Sequence, residues 1–93
     1  MKTVCIQIEN SDDKLSQKEW SEFCEKIEKN CFFNAKEIHF SGCSEGSKPW
    51  QNMCIVMNIE NNKIDNLKSV ITNTRKSYGQ TSVAIMIGLT EFI

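Results

Sequence analysis

The feature of this 93-residue sequence that most restricts its fold is the order of two hydrophobic periodicities, one typical of strands and one typical of helices. Apolar side chains alternate with other residues at positions 3–9, 37–41, 51–59 and 82–87, which is the pattern of strands with a buried side. Two further segments repeat their apolar residues at helical spacing, one after the first strand and one after the third. The predicted order is therefore β-α-β-β-α-β.

The first helical segment carries its own start signal. Ser16 and Glu19 are spaced as a capping box, in which each side chain accepts a hydrogen bond from the backbone N–H of the other residue. Leu15 and Trp20 occupy the positions of the hydrophobic staple that accompanies such a box. The predicted apolar face of this helix consists of Trp20, Phe23, Cys24, Ile27 and Cys31.

The second helix is predicted to begin at an N-cap formed by Asn61 or Asn62 and to end at Gly79. Its apolar face comprises Ile64, Leu67, Ile71 and Tyr78, with Val70 beside it.

Right-handed crossovers turn this order of elements into an α+β fold, the ferredoxin-like βαββαβ sandwich. We expect residues 1–93 to form a single domain with a four-stranded antiparallel sheet and both helices on one face. A rearranged version, in which the last strand pairs with another chain, is the alternative. Within the second strand, Ile38 and Phe40 are expected to face the helices and His39 the opposite side.

We call the sheet face without helices the open face. The side chains at its centre are predicted to be small and largely apolar. Exposed apolar patches commonly mark interaction sites, so we expect self-association into a homodimer or higher oligomer through this face. Alternatively, long side chains from the sheet edges or the C-terminal Phe92 cover it. The strand alternation assigns to the open face Thr3, Cys5, Gln7, His39, Cys54, Val56, Asn58, Ala84 and Met86.

Three connections, at residues 10–16, 41–52 and 78–81, are predicted to meet at one end of the sheet. The middle one is longer than the roughly two to five residues that a hairpin needs, and it resembles neither phosphate-binding glycine motif. It is predicted to bind a small ligand or nucleotide, to form a protein-binding lip anchored by Trp50, or to be a plain surface hairpin. The candidate ligand-binding residues are Asp12, Asp13, Ser41, Gly42, Ser44, Lys48, Trp50, Gln51 and Asn52.

Charge and cysteine content exclude several classes of protein. The 11 basic and 12 acidic residues are nearly balanced, so general nucleic-acid binding is not expected. The five cysteines form no C-x-x-C pair and are predicted to be free thiols. Because no apolar run approaches the roughly 20 residues of a membrane span and no signal-peptide core is present, a cytoplasmic location without membrane contact is expected.

No catalytic group, cofactor or metal site is predicted. His39 is the only histidine, and the open face offers Cys5 and Cys54 no nearby positive charge that would lower a thiol pKa. A zinc site from His39, Cys43, Cys54 and Cys5 would lack any diagnostic spacing.

The run Ser11-Asp12-Asp13-Lys14 after the first strand, in a plait of this size, resembles the small CRISPR-associated Cas2 proteins. The resemblance implies a metal-dependent nuclease using Asp12 and Asp13. The chain departs from that family because Ile8-Glu9-Asn10 lacks the aspartate at the strand end and because the chain is not basic.

The leading hypothesis is a small cytoplasmic protein-binding module of the inhibitor, immunity or anti-defence type, not an enzyme, whose partners are itself and another protein. In its general type the chain is similar to small phage or mobile-element proteins that act by binding. A nucleotide-binding protein is the first alternative and a Cas2-like nuclease the second.

Overall fold

The computed structural model describes residues 1–10, 14–44 and 51–93, and it confirms the predicted order of elements. The elements are β1 (Lys2–Glu9), α1 (Gln17–Asn34), β2 (Glu37–Cys43), β3 (Asn52–Ile59), a 3-10 turn (Asn61–Lys63), α2 (Ile64–Ser77) and β4 (Ala84–Gly88). No helix in these three described stretches combines the length and the apolarity needed to cross a bilayer.

The four strands form one antiparallel sheet in the order β2-β3-β1-β4. β1 pairs with β3 on one side and with β4 on the other, so the final strand closes onto its own chain. Both helices pack on one face of the sheet, and the fold is the ferredoxin-like α+β sandwich that the sequence predicts.

The hydrophobic core lies between the sheet and the helices. Alternate residues of β1 and β3 are buried, as the period-two pattern predicts for strands with one side against helices. Its buried apolar members are Val4, Ile6, Ile8, Leu15, Trp20, Phe23, Ile27, Cys31, Met53, Ile55, Met57, Ile59, Leu67 and Ile71.

The capping box at the start of α1 is confirmed. Glu19 N donates to Ser16 Oγ at 3.2 Å, and Ser16 N donates to Glu19 Oε1 at 3.0 Å. Leu15 and Trp20 are both buried, as expected of a hydrophobic staple.

The ends of α2 agree with the prediction at one terminus only. Neither Asn61 nor Asn62 caps the helix, because both belong to a 3-10 turn that leads into it without any side-chain cap. At the other end Gly79 adopts a φ of +64°. Gly79 N donates to Lys76 O and Gln80 N to Arg75 O, which closes the helix in the way a left-handed glycine allows.

One sequence-based expectation for β2 is wrong. Ile38 lies opposite Met57, but Phe40 lies opposite Val56, so a β-bulge at His39 inserts one extra residue. A shift of one residue moves a side chain to the other face of a sheet. Ile38 therefore packs on the core as predicted, whereas Phe40 points to the open face and is 56% exposed.

Candidate functional site on the open sheet face

A row of four side chains crosses the middle of the open face. The register places Phe40 opposite Val56, Val56 opposite Cys5, and Cys5 opposite Met86, so all four strands contribute one residue. We call these four residues the central row. Phe40 and Met86, at the two sheet edges, are 56% and 49% exposed, and the two inner residues are half-buried. The centre of the open face therefore presents apolar and sulfur atoms to its surroundings.

The rows on either side of the central row are small or polar. Glu37 is the single charged residue among the twelve that make up these three rows. The row towards the loop end comprises Gly42, Cys54, Gln7 and Ala84, and the row on the other side comprises Glu37, Asn58, Thr3 and Gly88.

The Phe40 ring lies against its own strand because residue 42 is a glycine. A Cβ atom added at Gly42 would lie 2.7 Å from Cζ of Phe40, which is closer than such atoms approach each other. The ring borders a shallow hollow of about 310 Å³, which Gln7, Cys54 and Asn52 also line. The bulge thus places Phe40 on the open face, and Gly42 leaves room for its ring against the strand.

Two thiols touch in this region. Cys5 Sγ and Cys54 Sγ are 3.2 Å apart, and the two residues are diagonal neighbours, since Cys5 pairs with Val56 and Cys54 with Gln7. Burial, together with the neighbouring Cys54, raises the pKa of the Cys5 thiol to about 11. Cys5 is therefore a neutral thiol at neutral pH, which is unlike an activated nucleophile.

The structure places most of the predicted open-face residues where the alternation put them. Thr3, Cys5, Gln7, Cys54, Val56, Asn58, Ala84 and Met86 all occupy the open face by register. His39 lies in the bulge and is exposed, outside the paired positions. Phe40 is the member of the central row that the sequence missed.

The C-terminal segment does not cover the central row. The Thr90 hydroxyl contacts the Thr3 hydroxyl, one row away from the centre. Phe92 is 92% exposed, so it packs against almost nothing.

The loop end is organised around Asn10, a buried polar residue that no sequence pattern singles out. Its Nδ2 donates to Leu15 O and to Gln51 Oε1, both at 3.0 Å, and its Oδ1 accepts from Leu15 N at 3.1 Å. Asn10 thereby joins the first two predicted connections. The third approaches the same end, because Ser82 lines a hollow of about 190 Å³ with Glu9.

The predicted ligand-binding residues that the structure describes are engaged within the chain. Ser41 and Gly42 belong to β2, and the Ser41 hydroxyl donates to Glu28 Oε1 on α1. Ser44 N donates to Asn52 O at 2.9 Å, and Asn52 N donates to Ser44 Oγ at 3.0 Å.

Gln51 bonds to Asn10 through Oε1 and to Gln17 through Nε2. Asp12, Asp13, Lys48 and Trp50 lie outside the described residues. Ligand binding at this end, and nuclease chemistry at Asp12 and Asp13, therefore remain predictions.

The five cysteines carry free thiols, and three of them lie apart from the contacting pair. Burial raises the pKa of both Cys24 and Cys31 to about 12. Cys43 is exposed at the end of β2.

The open face and the loop end are therefore described from the geometry of this chain alone. No protein-family model, curated protein or solved structure that was compared with this chain matches it.

Proposed function

We propose that this protein is a small binding module that acts through protein–protein contact and that forms a homodimer through its open face. The observation that carries the proposal is the uncovered central row, with Phe40 and Met86 exposed at its two ends. Burial of such apolar surface is the main favourable term in protein association. Five free thiols fit the cytoplasmic location that forms part of the proposal.

The chain as a whole is broad enough for a stable interface on one of its faces. The chain measures 37 × 30 × 18 Å along its principal axes, so it is a flat body with two broad faces. A standard interface takes about 800 Å² from each partner, which is less than a face of these dimensions provides.

A second copy of the chain is the occupant that fits the chemistry of this face. The central row carries no charge, so two copies meet without repulsion or an unpaired buried ion. A twofold axis parallel to the strands lays the β2 edge of one copy over the β4 edge of the other. Phe40 then meets Met86 of the second copy, and contacts between sulfur and aromatic rings are favourable.

The test is a charge placed at the centre of the row. In Val56→Asp, each dimer would have to bury two carboxylates that lack a partner, so we expect the variant to be monomeric wherever the wild type is dimeric. Sedimentation velocity over a dilution series measures the association, and circular dichroism verifies folding. The matched control is Ser21→Asp, which adds the same charge at an exposed position of α1.

Two results would reject the proposal. One is a wild-type protein that stays monomeric at the highest concentration reached. The other is a folded Val56→Asp variant that dimerises as tightly as the Ser21→Asp control.

A further inference from the structure

Three sulfur-bearing side chains are neighbours on the open face. Cys5 Sγ and Cys54 Sγ are 3.2 Å apart, and Met86 lies directly opposite Cys5 in the register between β1 and β4. Directly opposed residues in an antiparallel pair bring their Cβ atoms to within about 5 Å of each other. None of the three side chains is fully buried, so a ligand has access to them.

The strand register disfavours a disulfide between the two cysteines. Diagonal neighbours have Cα atoms roughly 7–8 Å apart, whereas a disulfide requires about 4.4–6.8 Å. Joining the sulfurs directly would shorten their separation from 3.2 Å to the roughly 2.0 Å of an S–S bond. An ion bound between the sulfurs spans a longer separation, which side-chain rotation alone can adjust.

The kind of ligand follows from the donor atoms. Thiolate and thioether sulfurs are soft ligands and select soft ions such as Cu(I). A structural zinc ion takes four ligands, yet no group of three His, Cys, Asp or Glu side chains converges anywhere in residues 1–10, 14–44 and 51–93. This arrangement therefore suits a metal ion that accepts two thiolates and a thioether as ligands.

We propose that Cys5, Cys54 and Met86 form a binding site for monovalent copper on the open face. The inference goes beyond the proposed dimer and concerns the single chain, because the dimer would cover Cys5 and Met86, so copper binding is measured on protein diluted below the dimer Kd. Binding forms two copper–thiolate bonds and releases two protons to solvent, with no change in the oxidation state of the metal.

The experiment is an anaerobic titration of the reduced full chain with Cu(I) in competition with a chromogenic Cu(I) chelator. The wild type is expected to retain one Cu(I) per chain. Losing an outer-shell partner of a metal ligand costs about 10–100-fold in affinity, so removing a ligand itself, in Cys5→Ser or Cys54→Ser, is expected to cost at least about 100-fold. Met86→Leu conserves volume but removes the thioether, so a smaller loss is expected.

Cys43→Ser is the matched control, because it removes an exposed thiol whose position opposite Met53 belongs to the other face of the sheet. It is expected to bind copper as the wild type does. A readout that needs no variant is alkylation mapped by mass spectrometry, in which bound Cu(I) protects Cys5 and Cys54 while Cys43 still reacts.

Two outcomes would overturn the proposal. The first is a wild type that loses all Cu(I) to the chelator, and the second is equal binding by the serine variants and the wild type.

Discussion

Replacing Phe40 with alanine is expected to weaken the proposed dimer strongly. An aromatic side chain offers roughly 150–250 Å², and Phe40 is 56% exposed, so about 100 Å² remains for a partner to cover. At about 25 cal/mol per Å² this area corresponds to roughly 2.5 kcal/mol. A symmetric dimer contains the residue twice, which gives an upper bound of about 5 kcal/mol, or between three and four powers of ten in Kd.

The measured effect should be smaller than this bound. Coverage at a sheet edge is incomplete, and ordering each ring at the interface costs about 0.5–1.5 kcal/mol. We therefore expect the dimer Kd to rise by about 100-fold, since each factor of ten corresponds to about 1.4 kcal/mol. Sedimentation equilibrium over a dilution series measures it, with circular dichroism to verify that the variant is folded.

Phe33→Ala is the control that distinguishes a specific interface from nonspecific hydrophobic association. Phe33 is 84% exposed, which is more than Phe40, but it lies on α1 and not on the open face. If exposed aromatic area alone drove association, Phe33→Ala would be the more damaging change. The reasoning is refuted if Phe33→Ala weakens the dimer as much as Phe40→Ala, or if Phe40→Ala leaves the Kd unchanged.

Two further predictions follow from individual contacts. Gly42→Ala should push the Phe40 ring off its strand, because the new Cβ would lie 2.7 Å from Cζ of that ring. The variant should stay folded but form a weaker dimer. Gly88→Ala is the control and should have no such effect, because its Cβ meets nothing within 4 Å. Burial, followed by the nearby Glu28, raises the pKa of the Cys31 thiol from 9.0 to about 12. The folded state therefore keeps a proton that the unfolded chain releases, so stability should be fully present below pH 9 and fall as the pH rises towards 12. Thermal melts should show a shallower alkaline decline for Cys31→Ala than for the wild type, and equal slopes would contradict this assignment.

The features of the fold that the sequence predicted correctly are those with local causes. The capping box needs only Ser16 and Glu19, three residues apart in one chain segment. The helix end at Gly79 depends on a single left-handed residue. Alternation along one strand likewise identified the inner and outer faces of β1 and β3.

The errors concern features of the backbone, such as the β-bulge, that the local sequence does not indicate. Ile38 and Phe40 alternate as residues of a regular strand do, and nothing in the pattern marks His39 as an inserted residue. Bulges arise from how two strands pair, so they become visible only with the partner strand in place.

The candidate site shows the same division. That Cys5, Cys54, Val56 and Met86 share a face follows from period-two alternation. That three of them form one row with Phe40, while Cys54 is diagonal to Cys5, depends on the register between strands that are distant in sequence. Neither the central row nor the sulfur contact was therefore accessible to sequence reasoning.

The extra residue at His39 divides β2 into two halves whose large apolar side chains lie on opposite faces of the sheet. Before it, the strand supplies Ile38 to the interior; after it, the same edge supplies Phe40 to the outside. Deleting that residue would leave Phe40 opposite Val56 and therefore on the outside. If all residues of β2 were instead paired without a bulge, His39 would lie opposite Val56 and Phe40 would turn inward. The side chain that this edge presents to the outside thus depends on one backbone irregularity, while the register of the two central strands stays the same.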